Sequence, residues 1–135
     1  MKDLTLETNN ENLYTVIDEI KDCLKKNNCP EDVITEISIA AEEIFVNIVN
    51  YAYGGDEGLA NVEIDVSPNP KVCRLVFKDS GVPYNPLEKE DPDIELGVEE
   101  RQVGGLGIFM AKEIMDKMTY EYKDGKNVLT IEKNV

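Results

Sequence analysis

The chain has 135 residues, 28 of them acidic and 14 basic, for a formal charge of −14 with no histidine. Its 41% hydrophobic content is that of one folded domain with a sizeable core, not of a disordered segment. The charge argues against nucleic acid or anionic lipid as a partner, and the lack of histidine excludes imidazole catalysis and His-ligated metal.

Asp3 to Thr8 alternates as a short edge strand. Asn9 to Asn12 supplies helix-start residues, and Leu13, Val16, Ile17, Ile20 and Leu24 give an amphipathic helix closing near Asn27 and Asn28. A long helix follows over Pro30–Tyr53. Pro30 is expected in its first turn with Glu31 and Asp32 at the positive end, and Gly54-Gly55 stops it. Val33, Ile37, Ala41, Ile44 and Ile48, with Ile34, Phe45 and Val49, make a wide apolar face. Leu59–Val66 and Val72–Lys78 read as a hairpin around the Ser67–Pro70 turn. From Asp79 to about Val103 the chain is loop-like, with prolines at 83, 86 and 92 and acidic residues from Glu88 to Glu95. A stretch of that length is either a solvated linker or a binding loop. Gly104 opens a helix whose Leu106, Met110, Ile114 and Met118 are expected on one face; Thr119–Lys123 and Asn127–Glu132 form a hairpin around Asp124-Gly125.

This order groups helices instead of alternating them with strands. It predicts a single α/β (α+β) domain over residues 1–135: a two-layer sandwich with a mixed, mostly antiparallel sheet and its helices on one face. Neither GxGxxG after a first strand nor GxxxxGK[ST] occurs, which excludes the dinucleotide fold and the P-loop. Cys23, Cys29 and Cys73, an odd and widely spaced set, read as reduced thiols. With no apolar secretory stretch in the first residues and no run of about 20 apolar residues, a cytoplasmic protein without a membrane partner is expected.

Three segments could converge on a site. Glu43, Asn47 and Asn50 form a polar stripe on the long helix. Asn47 interrupts an apolar run, and a buried carboxamide without partners costs about 1–3 kcal/mol; a local hydrogen-bond network or a bound ion would satisfy it. Its oxygen suits magnesium, and Glu43, one turn earlier, could deprotonate a hydroxyl. Asp79-Ser80-Gly81 ends the most apolar strand. The carboxylate can accept from an exocyclic amine and Gly81 lets a ring approach the backbone, although such a tripeptide equally makes a plain turn. Gly104-Gly105-Leu106-Gly107 is either a hinge or a helix start whose free N–H groups suit phosphate, with Arg101 the nearest cation. Such a site would offset the unfavourable global charge.

Order and combination are more specific than any single segment. Glu43-Ile-Phe-Val-Asn47, Asp79-Ser-Gly81-Val-Pro-Tyr84-Asn-Pro86, Gly104-Gly-Leu-Gly-Ile-Phe-Met110 and Gly125-Lys-Asn-Val-Leu-Thr130 together resemble the GHKL ATPase superfamily, and within it the small anti-sigma-factor serine kinases of the RsbW/SpoIIAB type. The resemblance covers essentially the whole chain and implies the Bergerat fold with ATP and Mg²⁺ as cofactors. It implies that Asn47 binds Mg²⁺, with Asn50 and Tyr84 near the nucleotide, and that Glu43 is the general base. Asp79 would read the adenine amine and Gly81 would sit against the ring. Gly104, Gly105, Leu106 and Gly107, with Arg101, would hold phosphates beneath a lid at about 87–103, and Thr130 would lie behind the adenine through water. It further implies phosphorylation of a serine on a STAS-domain anti-anti-sigma protein, binding of a sigma factor, and a homodimer. The chain departs at Tyr51 and Phe109, where many relatives carry histidine; neither removes an expected ligand. The alternative is a non-catalytic, nucleotide-responsive module that sequesters a transcription factor.

Overall fold

The computed structural model describes residues 1–88 and 105–135, and of residues 105 and 106 the backbone alone. Its elements are β1 (Lys2–Glu7), α1 (Asn10–Lys26), α2 (Glu31–Tyr51), β2 (Leu59–Pro68), β3 (Lys71–Asp79), a short 3-10 turn (Pro86–Glu88), α3 (Gly105–Ile114), β4 (Lys117–Lys123) and β5 (Lys126–Asn134). Asn9 caps α1, its Oδ1 accepting from the Asn12 N–H at 2.8 Å. Pro30 is the N-cap of α2 and not part of its first turn, with extended backbone (φ −62°, ψ 146°) and no side-chain capping bond. Glu31 and Asp32 occupy the first turn instead, where negative charge is favourable.

The five strands run in the order β1-β2-β3-β5-β4. The sequence allowed a mixed sheet, but all four described pairings are antiparallel. The chain path explains why. β4 runs in the same direction as β3, yet the hairpin at Asp124-Gly125 returns β5 between them, so the two never become neighbours. Both hairpin residues take positive φ (55° and 75°), the backbone of a type I′ turn whose twist matches the flanking strands.

Pleating sorts the sheet into two faces. Val62, Ile64, Leu75, Phe77, Leu129 and Ile131 point inward and are buried with Val16, Ile20 and Leu24 of α1 and Ile34, Ile37, Ala41, Ile44 and Phe45 of α2. Each large side chain buried there stabilises the fold by about 1.5–3 kcal/mol. Glu63, Arg74, Lys78 and Thr130 line the opposite face, where Lys78 pairs with Glu63.

α3 corrects one expectation. Its buried side is Ile108 and Ala111, continued by Met115, while Met110 is 40% exposed and Met118 already belongs to β4. Packing fixes the phase: Gly107 lies against Glu43 of α2, and Ile108 and Ala111 turn inward beside that contact. Gly81 gives a second close approach. A Cβ there would stand 2.0 Å from the Ala52 carbonyl oxygen, the same oxygen that accepts from the Val82 N–H at 3.0 Å. The segment after β3 is thereby locked onto the C-terminal end of α2.

Candidate functional site

A pocket opens between α2 and the inward face of the sheet. α2 contributes Ile44, Asn47, Ile48 and Tyr51, and the end of β3 contributes Phe77 and Asp79. Val82, Tyr84 and Pro86 close one side, and Tyr120, Asn127 and Leu129 come from the last two strands. Apolar walls with a few convergent polar groups are what a small-molecule site requires.

Two of those polar groups are buried, Asp79 at 7% exposure and Asn127 at 6%. Asp79 Oδ1 accepts from the Gly81 N–H and from Asn127 Nδ2, both at 2.9 Å. Among the described residues no donor reaches Oδ2. A buried carboxylate oxygen without a donor is costly, and here it borders an open cavity, so a ligand N–H would satisfy it. Asn47 is similar in kind. The sequence placed it in a segment able to bury almost completely, but it is only half-buried, at the cavity wall. Its carboxamide makes no hydrogen bond among the described residues, which leaves its oxygen available to a cation or a ligand.

Glu43 lies one turn before Asn47 and half-buried. It does not line the cavity itself but abuts the start of α3: a Cβ on Gly107 would fall 2.2 Å from Glu43 Oε2. Glycine at 107 thus makes room for the carboxylate. Burial, helped by the neighbouring charge of Glu42, pushes the Glu43 carboxyl above its usual range, the direction that suits a general base working near neutrality.

Other expected residues fall elsewhere. Asn50 is exposed and outside the cavity wall. Gly81 packs on Ala52 and is not part of the lining. Thr130 is a correction: strand parity puts it on the far face of the sheet, with Val128, and gives the cavity Leu129 and Asn127 instead. Tyr84 lines the cavity, and its ring centroid is 6.3 Å from that of Tyr51, the first departure from the family pattern. Phe109 is half-buried on α3. Gly105 begins α3. Arg101, Gly104, the side chain of Leu106 and nearly all of the stretch at 87–103 lie outside the described residues.

Sequence reasoning missed Asn127 and Tyr120. Asn127 sits directly opposite Asp79 in the β3–β5 register. Besides donating to Asp79 it donates to the Val82 carbonyl at 2.9 Å, and its Oδ1 accepts from the Tyr84 N–H at 3.0 Å and from the Tyr120 hydroxyl. The usable signal was parity: in Asn127-Val128-Leu129-Thr130-Ile131 the inward set must be the one holding leucine and isoleucine, and that set includes the asparagine.

Comparison with known proteins agrees with this picture. Residues 6–133 match the family described as Histidine kinase-like ATPase domain. The chain is similar to "Serine/threonine-protein kinase BtrW" of Bordetella bronchiseptica, 25% identical over 95 residues covering 70% of this chain and 66% of that protein. It is also similar to "Serine-protein kinase RsbW" of Listeria innocua, 30% identical over 104 residues covering 73% of this chain and 64% of that one. The chain therefore spans just under two thirds of the length of these relatives. Its fold resembles a chain in the structure titled "The crystal structure of SiaB-SiaC complex from Pseudomonas aeruginosa", with a TM-score of 0.57 over 98% of this chain and 89% of that one at 14% identity. The antiparallel sheet under its helix layer, the motifs in their order and a match over almost every residue lead to one assignment: the chain belongs to the histidine kinase-like ATPase domain family.

Proposed function

We propose that this protein is an ATP-dependent serine kinase that acts on a protein partner in a switching system, with a STAS-domain anti-anti-sigma protein as substrate and a sigma factor as the sequestered target. The observation that carries the reading is that, among the described residues, one oxygen of buried Asp79 and the carboxamide of Asn47 have no hydrogen-bond partner, and both side chains line the same cavity. The first fits the exocyclic amine of adenine, and the apolar walls of Ile48, Phe77, Val82 and Leu129 fit its ring. The names of the similar kinases support transfer to serine. A cytoplasmic location and a homodimer belong to the same proposal.

The carboxamide oxygen of Asn47 suits a hard divalent cation, which commonly takes few protein ligands and completes its shell with water and phosphate. Among the described residues no group of three or more acidic or thiol side chains could hold a metal alone, so such an ion would be shared with the nucleotide. Bound magnesium would supply neutralisation of triphosphate charge. The protein's own contribution is positioning and proton removal. Glu43, already displaced toward a higher pKa, takes the proton of the incoming serine hydroxyl. The serine oxygen then bonds to the γ-phosphorus as its bond to the β-phosphate oxygen breaks, and ADP leaves.

Incubation with ATP and a candidate STAS-domain protein, followed by intact-mass measurement, tests this. Addition of one phosphate to the partner by the wild type is expected. Glu43→Gln should retain ATP binding and lose turnover by about 10²–10⁴-fold, the usual contribution of a general base. Transfer at the wild-type rate by Glu43→Gln would remove Glu43 from the role. ATP binding without transfer to any partner would make the chain a nucleotide-responsive binding module instead.

A further inference from the structure

Four hydrogen bonds meet on the side chain of Asn127, and two of them come from backbone groups that fix which way its amide points. The Tyr84 N–H can only donate, so the atom facing it is Oδ1; the Val82 carbonyl can only accept, so the atom facing it is Nδ2. Neither assignment depends on Asp79. The hydroxyl of Tyr120 adds a second donor to Oδ1, and its burial, which raises the phenol above its ordinary value, keeps it in the protonated, donating form. With the amide so oriented, Nδ2 must present an N–H to Asp79 Oδ1, where the Gly81 N–H is the second donor. Oδ1 is thereby taken and the carboxylate plane is held. What remains is Oδ2, an acceptor to which no described residue donates, on a side chain that lines the cavity.

We propose that Asn127, oriented by Tyr120, is the positioning residue that sets base selectivity in this site. It commits Asp79 to accepting a hydrogen bond from its ligand, so that a 6-aminopurine is admitted and a 6-oxopurine, which brings an acceptor to the same point, is rejected. This rests on the reading of the cavity as a nucleotide site. The register supplies the physical reason the pair exists: Asp79 ends β3 directly across from Asn127 near the start of β5, so the two side chains share the inward face. A site built around a polar group discriminates strongly against a ligand that leaves it unpaired, but only while that group cannot rotate to another partner. Asn127 removes that freedom.

The test compares dissociation constants for ATP and inosine triphosphate, which differ at purine position 6, in the wild type, Tyr120→Phe and Asn127→Leu. The wild type should prefer ATP by about 10²-fold or more. Asn127→Leu should narrow that ratio by about tenfold or more, the weight of a charge-assisted hydrogen bond, and Tyr120→Phe by a few-fold, because the Tyr84 N–H still orients the amide. If Asn127→Leu does not fold, Tyr120→Phe carries the comparison, since it keeps the ring and deletes one hydroxyl. A merely structural role weakens both nucleotides together and leaves the ratio where it was; that result overturns the proposal. A wild type that binds neither nucleotide overturns the nucleotide reading along with it, whereas a selective wild type with an unmoved ratio in the variants defeats the role of Asn127 alone.

Discussion

Glu43 sits where the protein's stability and its proposed chemistry pull in opposite directions. Its carboxyl is raised by burial and by Glu42, so the folded chain holds that proton more tightly than the unfolded chain does. The resulting penalty is absent at pH values below the ordinary carboxylate range. It develops as the pH rises through the raised value and is fully present above it. Replacing the ionisable group with its neutral isostere should therefore stabilise the protein at neutral pH. Thermal melts of Glu43→Gln and wild type across a pH series should show the variant higher at pH 7, with the gap closing as acid neutralises the wild-type side chain. A gap of constant size at every pH would show that desolvated charge is not its cause. That Asn47 and Asp79 meet at one cavity, with Glu43 beside it, was readable in the sequence because the three lie in motifs with fixed spacing. Asn127 and Tyr120 were not, because what they do depends on which strand lies beside β3, and that pairing crosses 48 positions of sequence between Asp79 and Asn127.

At the scale of elements, the cavity exists because the C-terminal end of α2 and the exit from β3 are joined at Gly81. The helices and hairpins follow from periodicity and turn residues, and their order along the chain was legible: Asn9 caps, Gly54 interrupts, and Asp124-Gly125 reverses the chain as their chemistry dictates. The phase of α3 was not legible, since Leu106, Met110 and Ile114 form as good an apolar row as Ile108, Ala111 and Met115. The tie is broken by the contact of Gly107 with Glu43, a tertiary fact. Thr130 went astray for a different reason, a motif likeness preferred over the two-residue alternation of its own strand. The Gly81 junction yields a prediction about packing. A methyl group at that position meets backbone, the Ala52 carbonyl, which cannot step aside as a side chain would. Gly81→Ala should cost about 2–4 kcal/mol in chemical denaturation and weaken ATP binding as Val82 and Asp79 shift. A variant within about 0.5 kcal/mol of wild type, the range of an ordinary surface change, would show that the two segments are not locked together there.

Taken whole, the molecule is a strongly acidic domain that would have to bind a polyanion. Its formal charge of −14 opposes the approach of free nucleotide at long range, so the local site has to supply the compensation. Adenine would be held at the end built from Asp79, Asn127 and Tyr120, away from the phosphates, by hydrogen bonding and apolar contact that net charge does not weaken. A cation at Asn47 would reduce the charge that has to enter. The division of the cavity into a base-reading end and a cation end is the central claim, and isothermal titration of ATP in the presence of magnesium into wild type and Asp79→Asn addresses it most directly. The substitution keeps the size of the side chain and can replace the accepting Oδ2 with an amide donor. Saturable one-to-one binding by the wild type and a loss of about tenfold or more in the variant is the predicted result. A wild type that gives no binding heat at millimolar ATP, or a variant that binds as tightly as wild type, would contradict it.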